Sequence, residues 1–125
     1  MHENRISSEI VDAAIEVHRH LGPGLLEKIY QEALAYELDL RGLSVKREVS
    51  LRANYKGLEF DSVYRLDMLV HDKVVVELKV VETILPVHEA QLLSYLRLLN
   101  KRLGMLINFH TPLVKQGIKR VANNL

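Results

Sequence analysis

Residues 66–80 read LDMLVHDKVVVELKV, and this stretch decides the fold. A run as rich in valine as Val74–Val80 is typical of a strand that is buried on both faces of a sheet. The run nevertheless contains Glu77 and Lys79, and Asp67 precedes it by one short segment. Ionised side chains are rarely buried unless they pair with each other or bind a ligand. The stretch therefore predicts a central pair of strands with a polar site within it.

The length of the connection, residues 71–73, determines how these two strands pair. With three residues in the connection, Val70 faces Val74 and Asp67 faces Glu77. A connection one residue shorter would place Asp67 on the apolar face, at a large desolvation cost. The predicted register therefore groups Asp67, Glu77 and Lys79 on one face. The other face then carries only apolar side chains, which are Leu66, Met68, Val70, Val74, Val76 and Leu78.

The composition indicates a folded protein without cysteine. The chain has 125 residues, of which 48% are hydrophobic, and it contains no cysteine, which excludes a disulfide framework, a thiolate metal site and a cysteine nucleophile. No apolar run approaches the ~20 residues that a membrane-spanning helix needs, and residues 1–5 lack a signal-peptide apolar region. We therefore expect one cytoplasmic domain over residues 1–125, with no membrane partner. Because the formal net charge is only +1, any affinity for phosphate must come from local charge.

The hydrophobic periodicity predicts the element order α-α-β-β-β-α-β, followed by a tail that fits either a short helix or a strand. This order is typical of an α/β domain, on the border with α+β, in which helices flank a mixed central sheet. Gly22-Pro23-Gly24 separates the first two helices, and Pro86 precedes the third. The predicted ranges are, in order, about 6–21, 25–41, 44–52, 59–70, 74–81, 87–100 and 103–109, with the tail from Thr111.

The clustered acids favour a metal site, although a simpler explanation exists. Two carboxylates that lie a few ångströms apart repel each other, and a hard cation such as Mg²⁺ relieves that repulsion. A lysine beside them could position an attacking water or stabilise charge on a transition state. The alternative is an internal salt bridge of Lys79 with Glu77 or Asp67, without any ligand.

Two predicted helices carry further polar candidates. Glu27 and Tyr30 share a helix face at i, i+3, and Gln91 and Tyr95 share one at i, i+4. Taken alone, Glu27 is explained as a carboxylate that complements a helix N-terminus, and Gln91 with Tyr95 as an ordinary polar helix edge. Neither pair predicts a function by itself.

In combination, these motifs resemble the GxxExxY proteins, a family placed within the PD-(D/E)XK nuclease superfamily. The resemblance covers about Ile6 to Val121, and the one departure is Leu66, where the superfamily's name records a proline. The residues that carry the resemblance stand in the family's order, and they are Gly24, Glu27, Tyr30, Asp67, Glu77, Lys79, Gln91 and Tyr95.

The resemblance implies a restriction-endonuclease-like core with a mixed central sheet flanked by helices. It implies Asp67 and Glu77 as ligands of Mg²⁺ or Mn²⁺, Lys79 as the catalytic lysine, and Glu27 as a further acid of the catalytic and metal site. It also implies that residues on the helices support the site or contact DNA, and these are Gln91, Tyr95 and Tyr30.

We therefore expect a metal-dependent nuclease that hydrolyses phosphodiester bonds of nucleic acid, with DNA as the expected substrate. The alternative is a non-catalytic domain that retains the nuclease fold and binds nucleic acid or a protein. A third hypothesis is a scaffold in which the acids and the lysine form only an internal ion network. Because the chain is small for a nuclease that must grip a duplex, it is also consistent with a homodimer.

Overall fold

Three helices and a five-stranded mixed sheet form the computed structural model, which describes residues 1–125. The strands lie side by side in their order along the chain, and the predicted element order is confirmed. No helix is both long enough and apolar enough to cross a bilayer. The elements are α1 (Glu3–Leu21), α2 (Glu27–Leu40), β1 (Val45–Tyr55), β2 (Leu58–Val70), β3 (Val74–Lys79), α3 (Pro86–Leu99), β4 (Leu103–Asn108), a 3₁₀ turn (Val114–Gly117) and β5 (Ile118–Ala122).

The β2–β3 hairpin has the register that the hydrophobic pattern predicts. Val70 pairs with Val74 and Met68 with Val76, across a connection of three residues. His71 and Asp72 adopt the left-handed backbone region in this connection, with φ of 55° and 57°. Asp67 is thereby brought level with Glu77.

A right-handed crossover is the usual way to join two parallel strands, and here α3 makes the connection between β3 and β4. These two strands pair in parallel, with Lys79 opposite Asn108 at the end of β3. The other neighbouring strands are antiparallel. The carboxyl end of β3, where ligands often bind in α/β sheets, therefore lies beside the last residue of β4.

Two apolar clusters cover the two faces of the sheet. α1 and α2 pack on Met68, Val70 and other residues of the larger cluster. α3 packs through Leu92 and Leu96 on the smaller cluster, which contains Leu66. The prediction that Leu66 shares a face with Met68 is therefore wrong. The alternation of side chains shifts between these two residues, at Asp67, because the backbone is irregular there.

The tail combines both of the structures that its sequence allows. It makes one 3₁₀ turn and then forms β5, which pairs antiparallel with β4 from Ile118 to Ala122. Gly117 lies so close to the main chain of Asn108 that an added Cβ would be 2.4 Å from its carbonyl oxygen. Because glycine has no Cβ, the segment before β5 can lie this close to the end of β4.

Candidate active site

The main chain of Asp67 is held by side chains in place of the regular sheet ladder. The β1–β2 ladder skips the pair Glu48 and Asp67, and the β2–β3 ladder ends at Met68. Glu48 has a φ of 52°, a left-handed conformation that is uncommon for a residue with a side chain. The Asp67 N–H donates to Glu77 Oε1 at 3.4 Å, and the Asp67 carbonyl accepts from Gln31 Nε2 at 3.1 Å.

Asp67 and Glu77 form a close pair of carboxyl groups. Asp67 Oδ2 accepts a hydrogen bond of 2.8 Å from the main-chain N–H of Leu78. Glu77 is only 2% exposed, and its carboxyl group lies beside that of Asp67. Burial, followed by the nearby Asp67 carboxylate, raises the pKa of Glu77 to about 9. The pair therefore retains one proton at neutral pH in the metal-free protein.

Lys79 stands beside these acids without pairing to any of them. It is the last residue of β3, and burial raises the pKa of both Asp67 and Glu77 while the charge of Lys79 offsets a part of that rise. However, Lys79 forms no ion pair within 4.0 Å, since every ion pair in the chain involves other cations. The geometry therefore does not match the internal salt bridge that the sequence left open.

Glu27 lies near the pair on α2, the helix that packs on the face of the sheet opposite α3. It is the first residue of α2, and partial desolvation, followed by the charge of Asp67, raises its pKa. Lys79 acts on the same carboxyl group in the opposite direction. Across the chain, no three His, Cys, Asp or Glu side chains are grouped so as to hold a metal ion. Glu27 is thus a neighbour of the carboxyl pair.

Tyr30 lies in the core of the protein. It is fully buried and stacks on Phe109, with ring centroids 4.5 Å apart. Its hydroxyl donates to the carbonyl of Gly22 and accepts from the N–H of Leu25 at 3.1 Å. Tyr30 therefore anchors the segment that leads into α2, and Glu27 is the first residue of that helix.

We expect Tyr30→Phe to lower the free energy of unfolding by about 1–2 kcal/mol, because two partly buried main-chain groups lose their partner. The ring and its stack on Phe109 would remain. Chemical denaturation measures the change, and Tyr36→Phe is the matched control, since Tyr36 lies on the same helix and is 66% exposed. Equal stability of the two variants would contradict the assigned role of the hydroxyl.

On the α3 side, two tyrosines lie next to Glu77. Tyr64 and Tyr95 stack with centroids 4.7 Å apart, and the Tyr64 hydroxyl is 3.5 Å from Glu77 Oε2. Burial, followed by the charge of Glu77, raises the pKa of both tyrosines. Gln91 lies on α3 and is exposed.

Sequence reasoning missed Gln31, Glu48 and Tyr64. Gln31 follows Glu27 by four residues on α2, so the helical spacing could have placed it on the same face. Nothing in the strand pattern distinguishes Glu48 or Tyr64, because each contacts the site through the pairing of distant segments.

The donor chemistry of the pair suits a hard divalent cation. Each carboxyl group has one oxygen that accepts from a main-chain N–H, which fixes its direction, and a second oxygen that does not. Mg²⁺ is commonly held by one or two carboxylates, with water and substrate phosphate as its other ligands. The residues present therefore fit such an ion.

Comparison with known protein families places the chain in a superfamily. A sequence model of the PD-(D/E)XK nuclease superfamily matches residues 4–121. Neither the curated proteins nor the solved structures give a significant match. The match spans nearly the whole chain and includes every element that carries the carboxyl pair, the lysine and Glu27. The chain belongs to the PD-(D/E)XK nuclease superfamily.

Proposed function

We propose that this protein is a Mg²⁺- or Mn²⁺-dependent nuclease that hydrolyses phosphodiester bonds of nucleic acid, with DNA as the expected substrate. One observation carries the proposal, namely the close pair of Asp67 and Glu77 beside a lysine that forms no ion pair. A buried carboxyl pair of this kind costs stability, and such costs are typical of functional sites. Superfamily membership supports the same conclusion, although a fold by itself does not determine function.

In this proposal, Asp67 and Glu77 would hold the cation through their carboxylates. A divalent cation supplies charge stabilisation at the phosphoryl group and lowers the pKa of a bound water. For Glu77 to act as a ligand it must release its proton, so binding of the cation is coupled to pH.

Lys79 acts on the water and on the reacting phosphate. Its ammonium group can donate hydrogen bonds to the attacking water and to phosphate oxygens, whose negative charge grows in the transition state. The water oxygen would form a bond to phosphorus as one ester P–O bond breaks. The water would lose a proton to solvent and the leaving oxygen would take one up from solvent, which gives a phosphate end and a hydroxyl end. Because Lys79 is not engaged with a carboxylate, its ammonium group can take this position without breaking an ion pair.

The neighbouring residues have supporting roles in this proposal. Glu27 lies near Asp67 and Lys79, where it can hold a water at the edge of the site. Tyr95 stacks on Tyr64, whose hydroxyl contacts Glu77, and so helps to position that carboxyl group. Gln91 lies on the exposed side of α3, where it is available to substrate.

We expect the purified protein to cut at least one member of a panel of labelled single-stranded, duplex and branched DNA and RNA. Cleavage should require Mg²⁺ or Mn²⁺ and should stop with EDTA. Ca²⁺ should support binding with little cleavage, since it tolerates loose coordination and activates water poorly. If the protein cuts nothing yet binds DNA equally well in EDTA, the nuclease proposal fails and the non-catalytic binding domain replaces it.

A further inference from the structure

A buried glutamine contacts the site from the same helix that carries Glu27. Gln31 lies one helical turn after Glu27 on α2, and it is only 6% exposed. Burial of an amide is costly unless its donors are satisfied. The partners of Gln31 therefore indicate why a polar residue occupies this position.

Both partners of the Gln31 amide belong to the irregular segment at Asp67. Gln31 Nε2 donates to the Asp67 carbonyl at 3.1 Å and to Glu48 Oε1 at 3.2 Å. A carbonyl and a carboxylate can only accept, so the NH₂ group of the amide must face them and its orientation is unambiguous. Gln31 thus spans α2, β1 and β2 at one point.

At this position the regular hydrogen-bonded pairing of β1 with β2 is interrupted. Because the β1–β2 ladder skips Glu48 and Asp67, Gln31 provides the hydrogen bond that the Asp67 carbonyl accepts. The Asp67 N–H, on the other side, donates to Glu77. The main chain of Asp67 is therefore held by two side chains, Gln31 at its carbonyl and Glu77 at its N–H. These two contacts determine the direction in which the Asp67 carboxylate points.

We propose that Gln31 is a positioning residue of the metal site. Its hydrogen bond links α2 to the main chain of Asp67 and thereby orients the Asp67 carboxylate. Gln31 acts through Asp67 and touches neither substrate nor cation. The inference rests on the proposed function for its consequence in catalysis, whereas its effect on cation binding can be measured without any substrate.

Gln31→Met removes both donors and nearly preserves the side-chain volume. Partners that orient a metal ligand typically contribute 10- to 100-fold in metal affinity or activity, so we expect Mn²⁺ affinity to fall by about that factor. Calorimetric titration of the protein with Mn²⁺ alone measures it. In cleavage assays, the Mn²⁺ concentration for half-maximal activity should rise by a similar factor while KM for nucleic acid stays unchanged.

Two further variants separate this role from a general loss of stability. Ser7→Ala removes a hydrogen bond of a residue that is 6% exposed on α1, remote from the site, and should leave Mn²⁺ affinity unchanged. Gln31→Asn retains the amide on a shorter side chain, and it should show a loss in the same direction. It also provides the measurement if the methionine variant does not fold.

Each result bears on the inference. Wild-type Mn²⁺ affinity in both Gln31 variants, or an equal loss in Ser7→Ala, would overturn it. If the wild type binds Mn²⁺ but cuts nothing, and Gln31→Met binds it more weakly, the positioning role stands and the nuclease proposal fails. If the wild type cuts nucleic acid and both Gln31 variants retain full Mn²⁺ affinity, the nuclease proposal stands and the positioning role fails. A wild type that binds no Mn²⁺ overturns both.

Discussion

Lys79→Ala is expected to lower the turnover of nucleic acid at least ~100-fold, the scale for the loss of one preorganised electrostatic group in an active site. Mn²⁺ affinity should be equal or higher in this variant. The reason is that burial raises the pKa of both Asp67 and Glu77 while the charge of Lys79 offsets a part of that rise, which means that this positive charge also opposes a cation at the same place. Single-turnover cleavage and calorimetric titration measure the two effects separately.

Two controls make this result specific. Lys73→Ala removes an exposed lysine of the β2–β3 connection, whose ammonium group donates to the carbonyl of Met1, and should leave turnover unchanged. Glu77→Ala should abolish both Mn²⁺ binding and turnover, since it removes half of the carboxyl pair. If Lys79→Ala cut at the wild-type rate, the assigned role of the lysine would be wrong even if the acids proved essential.

The metal-free protein is expected to lose stability as the pH rises from about 5 to about 9. Glu77 has a pKa of about 9 in the folded protein, far above its ordinary value, because burial and the Asp67 carboxylate disfavour its charged form. The folded state therefore binds a proton that the unfolded state has already released in this pH range. The free energy of unfolding should fall by up to about 1.4 kcal/mol per pH unit, and the contribution is fully present only below the pKa of the unfolded chain.

Glu77→Gln should remove this slope. The glutamine amide resembles the protonated carboxyl group, since it is uncharged and can still accept from the Asp67 N–H. Urea denaturation in EDTA at pH 5.5 and pH 8.5 is the measurement, with the wild type and Glu77→Gln compared at each pH. A flat wild-type profile, or an equal slope in the variant, would show that Glu77 is not protonated in the folded state.

The same linkage extends to the partner carboxylate and to the cation. Asp67→Asn should maintain or raise metal-free stability at pH 8.5, because it removes the charge that opposes ionisation of Glu77 while its amide oxygen can still accept from Leu78. A scaffold ion network predicts the reverse, with a loss of about 3–5 kcal/mol on removal of one partner of a buried pair. Stabilisation of the wild type by Mg²⁺ should grow with pH, since the cation competes with the proton for Glu77.

Much of the fold could be predicted because its signals are local. The valine run, the turn residues and the helical spacing of apolar residues each act within a few positions, and they predicted the order of the elements. The bounds of α3 differ from the prediction by one residue at each end. The tail could not be assigned because Ile118 and Val121 fit either period, and only pairing with β4 selected the strand.

The site was predictable only in part. The loop of three residues and the apolar pattern were enough to bring Asp67 level with Glu77, since a slip of one residue would bury the aspartate among valines. The burial of Tyr30, in contrast, depends on Phe109, which is distant along the chain. A tyrosine in a helical motif carries no local signal that separates a buried support from a residue that contacts substrate.

The sequence by itself determined the register of the β2–β3 hairpin and the proximity of two acids and a lysine, because alternation on adjacent strands is a short-range constraint. Only the tertiary structure decided that Lys79 is free of ion pairs and that Leu66 faces α3. It also decided that Gln31 and Glu48 meet at Asp67. The physical reason is the break in the β1–β2 ladder at Glu48, where a left-handed residue and a glutamine from a distant helix replace regular main-chain pairing. Such a break depends on the packing of α2 against the sheet, which no local pattern in the sequence encodes.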